Sequence, residues 1–280
     1  MQTTFLNEHL LPGQLGEFFV LLSFVASIFA TLSYFFASQS FVVSEQESWK
    51  KLARWGFGLH SISVLSIFCI LFYIIFNHYF EYHYAWSHSS KALPFKYLLS
   101  CFWEGQEGSF LLWTTWNCFL SYFVIIKKGK WEAPVMTIVS LGQILLASTL
   151  LGLYFFGEKI GSSPFTLLRD QMAGAPIFQQ PNYLSLIQDG NGLNPLLQNY
   201  WMVIHPPILF LGFSSTIFPF AFVLAILWKR DYDDFLSPLL RWALLCGMVL
   251  GTGIMMGGAW AYESLNFGGY WAWDPVENAS

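Results

Sequence analysis

A chain of 280 residues in which 55% are hydrophobic and only 11% are charged is not an ordinary soluble domain, because such domains carry about 25% charged residues. Aromatic side chains make up 20%, leaving too little polar surface to cover the chain in water, so its solvent is read as lipid. A net charge of -4 gives no reason to expect a nucleic-acid partner. Four scattered cysteines without a CxxC pair argue against a dithiol centre or a zinc knuckle.

Residues 1–15 contain no Lys or Arg and so lack the basic leader of a signal peptide. The first apolar run, about Gly16–Ala37, is long enough to cross a bilayer, since about 20 residues at 1.5 Å rise span an apolar layer of about 30 Å. Five more follow, near Phe57–Phe76, Phe110–Ile126, Val135–Phe156, Met202–Trp228 and Leu239–Tyr262, none with Lys or Arg in its interior. The expected fold class is an all-α integral membrane bundle of about six transmembrane helices, with irregular and short helical segments on its outer side. Residues 1–280 are expected to form one transmembrane domain. Cys69, Cys101, Cys118 and Cys246 read as packing residues.

The basic residues set the expected orientation. Lys50, Lys51 and Arg54 follow the first run, Lys127, Lys128 and Lys130 the third, and Lys229, Arg230 and Arg241 the fifth. The opposite side carries only Lys91, Lys96, Lys159 and Arg169, spread over longer connections. That bias places the first, third and fifth connections in the cytoplasm. The N-terminus and residues 263–280 then face outward, which in a bacterium is the periplasmic side of the inner membrane. The two outer connections, Asn77–Ser109 and Gly157–Trp201, are long enough to carry function. His9, His78, His83, His88 and His205 all fall on that side.

Four stretches could carry chemistry. In His205-Pro206-Pro207, the residue before a proline is pushed toward extended geometry while proline suits the first turn of a helix. His205 is therefore expected at the outer mouth of the fifth helix, near its N-cap. There the positive end of the helix keeps an imidazole neutral, as a metal ligand must be. The plainer alternative is an interfacial histidine that caps the helix. Trp103-Glu104-Gly105-Gln106-Glu107-Gly108-Ser109 is expected to open the third helix, with Glu107 complementing its dipole and the glycines allowing close packing. Gly247–Gly251 and Gly253–Gly257 are GxxxG faces for close helix contact. His60 lies inside a span, where ionisable groups are often functional, and Ser61 and Ser63 are candidate hydrogen-bond partners for it.

The last stretch is Gly268-Gly269-Tyr270-Trp271-Ala272-Trp273-Asp274-Pro275-Val276-Glu277. Its three large aromatics are denser than an interfacial anchoring belt requires, which is the plainer reading. Gly269 lets a flat ligand approach the backbone, and Tyr270, Trp271 and Trp273 form a shelf for it. Asp274, Pro275 and Glu277 have the spacing of an N-cap, N1 and N3, so a further helix is expected to begin there. The 280 residues are on that account expected to be the N-terminal portion of a longer protein.

These stretches resemble a known family. Gly268 to Ser280 is similar to the tryptophan-rich WWD signature of haem-handling proteins. Ser87-His88-Ser89, Trp103 to Trp113, and Leu193-Asn194-Pro195-Leu196-Leu197-Gln198 leading into His205-Pro206-Pro207 narrow the resemblance to the CcmF-type cytochrome c haem lyase subunits. The resemblance implies a protein of cytochrome c maturation that receives haem from a periplasmic haem chaperone. It would position that haem for thioether attachment to the CxxCH cysteines of apocytochrome c, working with other membrane subunits. It implies a haem platform over residues 263–280, with Gly269, Tyr270, Trp271, Trp273 and Asp274 as cofactor-binding residues and His205 as an axial ligand to the iron. Haem b is implied as substrate. In the family a second haem is held by intramembrane histidines beyond the WWD signature, which His60 does not match. Catalytic residues are not assigned, and Lys91, Lys96 and Arg169 are the outer cations available to the propionates. A haem transmembrane transporter is the competing function, since haem-delivery proteins also carry the signature. Transporters place their sites near the bilayer midplane, whereas the aromatic and polar signals here collect at the outer rim.

Overall fold

The computed structural model describes residues 5–264. In chain order its elements are α1 (Leu10–Gln39), α2 (Val43–Phe76), α3 (His83–His88), α4 (Phe95–Glu104), α5 (Gln106–Lys127), α6 (Glu132–Leu151), β1 (Leu153–Phe155), β2 (Glu158–Ile160), α7 (Leu168–Gln171), α8 (Tyr200–Lys229) and α9 (Leu236–Ser264). Six of the helices, α1, α2, α5, α6, α8 and α9, are long and apolar enough to cross a membrane. The expected six-helix all-α bundle is therefore present.

The spanning helices alternate in direction, so the α1–α2, α5–α6 and α8–α9 connections share one end. Lys127, Lys128, Lys130, Lys229 and Arg230 gather there, and we call it the basic end. The other end is loop-rich and holds α3, α4, the β1–β2 hairpin, α7 and three short 3-10 turns. Two spans depart from their expected limits in ways that matter. α2 begins at Val43 rather than near Phe57, so Lys50, Lys51 and Arg54 ride on its first turns instead of in a loop. Polar helix formers such as Glu45, Gln46, Glu47, Lys50 and Lys51 carry the helix beyond its apolar part. α6 stops at Leu151 rather than Phe156, because Gly152 takes the left-handed conformation that ends a helix. The apolar Leu153–Phe155 then pairs as a strand with Glu158–Ile160 across a turn in which Phe156 and Gly157 both have positive φ. A run of β-capable residues had looked like continued helix.

α1 packs on α2 and α6, α5 on α2, α6 and α8, and α8 on α6 and α9. The interior divides into two apolar clusters. One, around Ile67, Leu71, Tyr84, Phe102 and Leu111, lies toward the loop-rich end. The other, around Tyr34, Phe57, Val135, Met136 and Phe218, lies toward the basic end. α9 sits at the edge, with 11% of its most apolar window buried against 39–50% for the other five spans. Cys101 and Cys118 are buried and Cys246 half-buried, as packing residues should be, while Cys69 sits on the bundle's exposed surface.

His60 stands at the start of the expected span Phe57–Phe76 but not near the end of its helix. With α2 starting at Val43 it falls mid-span and fully buried, and its Nδ1 lies 2.9 Å from the Ser23 carbonyl oxygen of α1. Ser61 and Ser63 do not serve it; they bond back to the carbonyls of Phe57 and Leu59 in their own helix. This is the pattern of a histidine that joins two packed helices.

The loop-rich end is tied down from both sides. Arg169 of α7 and the Tyr183 hydroxyl both donate to Glu8, and the His9 backbone and ring meet Glu81 at 2.8 and 2.9 Å. Tyr82 donates to the His9 carbonyl at 2.6 Å and accepts from the Gly13 amide at 2.9 Å. These bonds seat the start of α1 against the outer connections.

Candidate functional site

The site is built where α8 enters the bundle. Asn194 and Asn199 side chains accept from the Leu196 and Trp201 amides, so each caps the turn that follows it. The second cap starts α8 at Tyr200. His205 is therefore not at the N-cap, where the proline rule placed it, but in the second turn. Pro206 and Pro207 lie inside the helix, and an outside donor serves one of the two carbonyls they leave unpaired, that of Met202.

That donor is Trp103, the penultimate residue of α4. Its indole Nε1 donates to the Met202 carbonyl at 2.8 Å in a buried setting. Met202 is four residues before Pro206, so its carbonyl is the one that a Pro206 amide would have served. A second tether from α4 is Tyr97, whose hydroxyl donates to the Gln198 carbonyl at 2.9 Å. On the other side, Trp201 Nε1 donates to Glu263 Oε2 at 2.7 Å and ties the start of α8 to the end of α9.

His205 itself points into the α8–α9 seam and is 7% exposed. A Cβ built on Gly257 would stand 2.9 Å from His205 Cε1, so the imidazole occupies the space that this glycine leaves. The Gly253–Gly257 face thus makes the close contact expected of it, with Leu209 against Gly253. Gly247 and Gly251 face open space instead, in a shallow groove shared with Trp201, Met248, Met255 and Ala259. Trp260 meets the imidazole edge-on, with ring centroids 5.8 Å apart. His205 Nδ1 is buried and has no hydrogen-bond partner among the described residues, and neither does Trp260 Nε1.

The short helices above the site meet at two glycines. A Cβ on Gly108 would stand 1.6 Å from the Phe102 carbonyl oxygen, and one on Gly105 would press on Tyr84 and His88. Only glycine lets α4 turn this tightly into α5, as the Gly-x-x-Gly spacing implied. The helix that Trp103 was expected to open in fact begins three residues later, at Gln106. Glu107 lies in its first turn and accepts a hydrogen bond from Ser162. His88 Nδ1 lies 3.4 Å from Glu104 Oε2.

Of the three cations named for the propionates, Arg169 is neutralised by Glu8 and Asp170, and Lys91 Nζ donates to the Gln188 carbonyl. Lys96 lies over the Tyr97 ring without an ion pair among the described residues. Gly269, Tyr270, Trp271, Trp273 and Asp274 lie outside the described residues; α9 carries the chain as far as Ser264, toward the same end of the bundle as His205.

Residues 103–280 match the family described as Cytochrome C assembly protein. The chain belongs to the cytochrome c assembly protein family. This assembly protein is 34% identical to the cytochrome c-type biogenesis protein CcmF of Pseudomonas fluorescens, over 81% of the chain and 32% of that relative. It is 31% identical to CcmF of Escherichia coli K12, over 78% of the chain and 31% of the relative. A solved structure of a cytochrome c haem lyase, CcmF, superimposes with a TM-score of 0.73 at 23% identity, covering 100% of this chain and 40% of that one. The last likeness is one of fold. The chain spans about a third of the length of the curated relatives it matches. It is a multi-pass membrane protein, and its family match begins at Trp103, the residue that clasps α8.

Sequence reasoning singled out His205 and Gly253–Gly257 separately and did not join them. It also passed over Trp201, Trp260 and Glu263. The signal for Trp103 was present: two prolines inside a helix leave two carbonyls without amides, which asks for a donor from outside.

Proposed function

We propose that this assembly protein binds haem at the loop-rich membrane face and positions it for thioether attachment to the CxxCH cysteines of apocytochrome c. The observation that carries the reading is His205. Its Nδ1 is buried beside the Trp260 ring with no hydrogen-bond partner among the described residues, and a neutral imidazole nitrogen is what a haem iron takes as an axial ligand. A buried ring nitrogen left without a partner costs free energy unless some group uses it.

In this reading the loop-rich face is periplasmic and the membrane is the bacterial inner membrane, in keeping with the basic residues at the opposite end. The segment from Gly268 to Ser280 supplies the aromatic platform, with Gly269, Tyr270, Trp271, Trp273 and Asp274 against the haem plane. A haem chaperone delivers haem b, apocytochrome c receives it, and further membrane subunits complete the assembly. The haem supplies the vinyl groups to which the cysteine thiols add. The contribution of this chain is to hold, orient and shield it. Lys91 and Lys96 are the candidates to meet a propionate, because neither has an ion pair among the described residues, whereas Arg169 is paired with Glu8 and Asp170.

The test is the absorption spectrum of protein purified from its native membrane. Haem should co-purify, and His205→Ala should weaken or shift its Soret band. An unchanged band removes His205 from the site. Trp271→Ala and Trp273→Ala should lower the yield of holocytochrome c; full yield from both would leave the aromatic segment as an inert belt. Uptake of haem into the lumen of vesicles containing the protein would favour transport instead.

A further inference from the structure

The entry of α8 is held by its neighbours more than by its own ladder. Pro206 and Pro207 offer no amide to the carbonyls of Met202 and Val203, and their rings push those carbonyls away from the helix axis. The first turn and a half of α8, which includes His205, is therefore joined to the remainder by fewer backbone bonds than an ordinary helix. Such a segment can tilt unless something fixes it.

Trp103 fixes it. Its indole reaches the Met202 carbonyl at 2.8 Å, and Met202 is three residues before His205. Both side chains are buried, at 7% exposure for Trp103 and 5% for Met202, so water does not substitute for the bond. Trp103 is itself held firmly. Its carbonyl accepts from Ser109 Oγ at 2.8 Å, and the preceding Phe102 carbonyl accepts from the Tyr84 hydroxyl at 2.7 Å. The Gly105–Gly108 turn leaves no slack beneath it. A rigid donor on α4 thus grips the loosened turn of α8 one turn from the imidazole.

We propose that Trp103 is a positioning residue for His205. By taking the carbonyl that Pro206 leaves unpaired, its N–H sets the tilt and rotation of the first two turns of α8, and with them the direction in which His205 Nδ1 presents its lone pair to the haem iron. The inference rests on the reading of His205 as an iron ligand. It adds that the ligand geometry is set from α4, by a residue that acts through the α8 backbone.

The experiment uses the protein purified from its native membrane with its haem, and compares Trp103→Phe, Trp103→Phe/Pro206→Ala and His205→Ala with the parent. Trp103→Phe keeps an aromatic ring and removes the N–H. The double variant returns an amide to the Met202 carbonyl from within α8 but does not restore the link to α4. Haem affinity, the low-temperature EPR signature of the ligand set and the thermal midpoint are read for each. Trp103→Phe should shift the EPR signature and weaken haem affinity by about tenfold, the effect of one buried hydrogen bond. The double variant should recover much of the thermal midpoint while the EPR shift remains. If the signature returns to that of the parent together with stability, Trp103 only satisfies a carbonyl and the proposal is overturned. It is equally overturned if Trp103→Phe leaves affinity and signature unchanged while His205→Ala alters them. Should Trp103→Phe fail to fold, the double variant decides alone: a parental signature overturns the proposal and a shifted one supports it. If His205→Ala changes neither affinity nor signature, the reading of the site fails, and that outcome is distinct from the others.

Discussion

Arg54 of α2 and Glu132 of α6 form a two-pronged ion pair near the basic end of the bundle, with Nε–Oε1 and Nη2–Oε2 distances of 2.7 Å each. The carboxylate has no exposed surface, while the guanidinium keeps 23% of its own. Glu132 is the first residue of α6, so its charge also meets the positive end of that helix. The pair joins segments 78 residues apart across the bundle, where a lone charge would face apolar side chains.

Removing one partner should therefore cost more than a surface pair would. Arg54→Ala strands a buried carboxylate, and a loss of about 3–5 kcal/mol is expected for such a change. Arg54→Lys should recover only part of it, because an ammonium cannot match both carboxylate oxygens in the planar fork. Thermal unfolding in detergent, compared among parent, Arg54→Ala, Arg54→Lys and Glu132→Gln, reads this order. Equal midpoints for all four would show that the pair is solvated and idle.

The glycines of α9 predict a contrast within one helix. At Gly257 a new Cβ would stand 2.9 Å from the His205 ring, so Gly257→Val must displace the imidazole or open the α8–α9 seam. Overpacking of this kind costs about 1–3 kcal/mol, and haem binding should fall with it. Gly247 has no heavy atom within 4 Å of its would-be Cβ. Gly247→Ala should be neutral or gain up to about 1 kcal/mol from helix propensity. Haem content and thermal midpoint of the two variants decide it, and equal effects would detach Gly257 from the site.

How much was legible beforehand follows from what each signal encodes. Hydropathy reports the solvent, so all six spans and the crowding of basic residues at one end could be read directly. Helix limits depend on caps, and these were read less well. α2 runs fourteen residues further toward the basic end than its apolar stretch, and α6 yields to Gly152 where Leu153–Phe155 still looks apolar. The Pro206-Pro207 pair misled in an instructive way. Proline usually marks a first turn, but Asn199 caps the helix earlier and Trp103 supplies the missing donor, so the prolines lie inside. A local rule gave way to a contact about a hundred positions distant, and that contact is invisible to any window of sequence.

Acid should loosen the loop-rich end. Burial pushes His78 and His83 below the ordinary imidazole value; Lys91 deepens the shift at His78 and His88 does so at His83, while Asp189 and Glu107 oppose it. Both rings are therefore less readily protonated in the folded protein than in the unfolded chain. Where the unfolded state binds more protons, stability rises with pH. The contribution is complete above about pH 7 and is lost as pH falls through the ordinary histidine value near 6.5 toward the folded values. Hydrogen exchange of residues 77–90 at pH 8, 6.5 and 5.5 should show protection falling in acid. His83→Gln should flatten that slope. A slope that His83→Gln leaves intact would assign the acid sensitivity to other groups.

Cys101 offers a check on the same region that involves no haem. It is fully buried in α4, its thiol donates to the Tyr97 carbonyl at 3.2 Å, and burial, reinforced by the charge of Glu104, pushes its pKa up to about 12. Only the thiolate reacts with maleimides or iodoacetamide. At pH 8 the thiolate fraction at Cys101 is on the order of a thousandfold below that of an ordinary cysteine with a pKa near 8.5. Cys101 should accordingly be alkylated at least that much more slowly in the folded protein than after denaturation, which mass spectrometry of the α4 peptide measures. The rate also reports on Trp103, two residues along the same helix. If Trp103→Phe frees α4 from α8, alkylation of Cys101 should accelerate, whereas a rate unchanged from the parent would show that α4 stays in place without the indole bond.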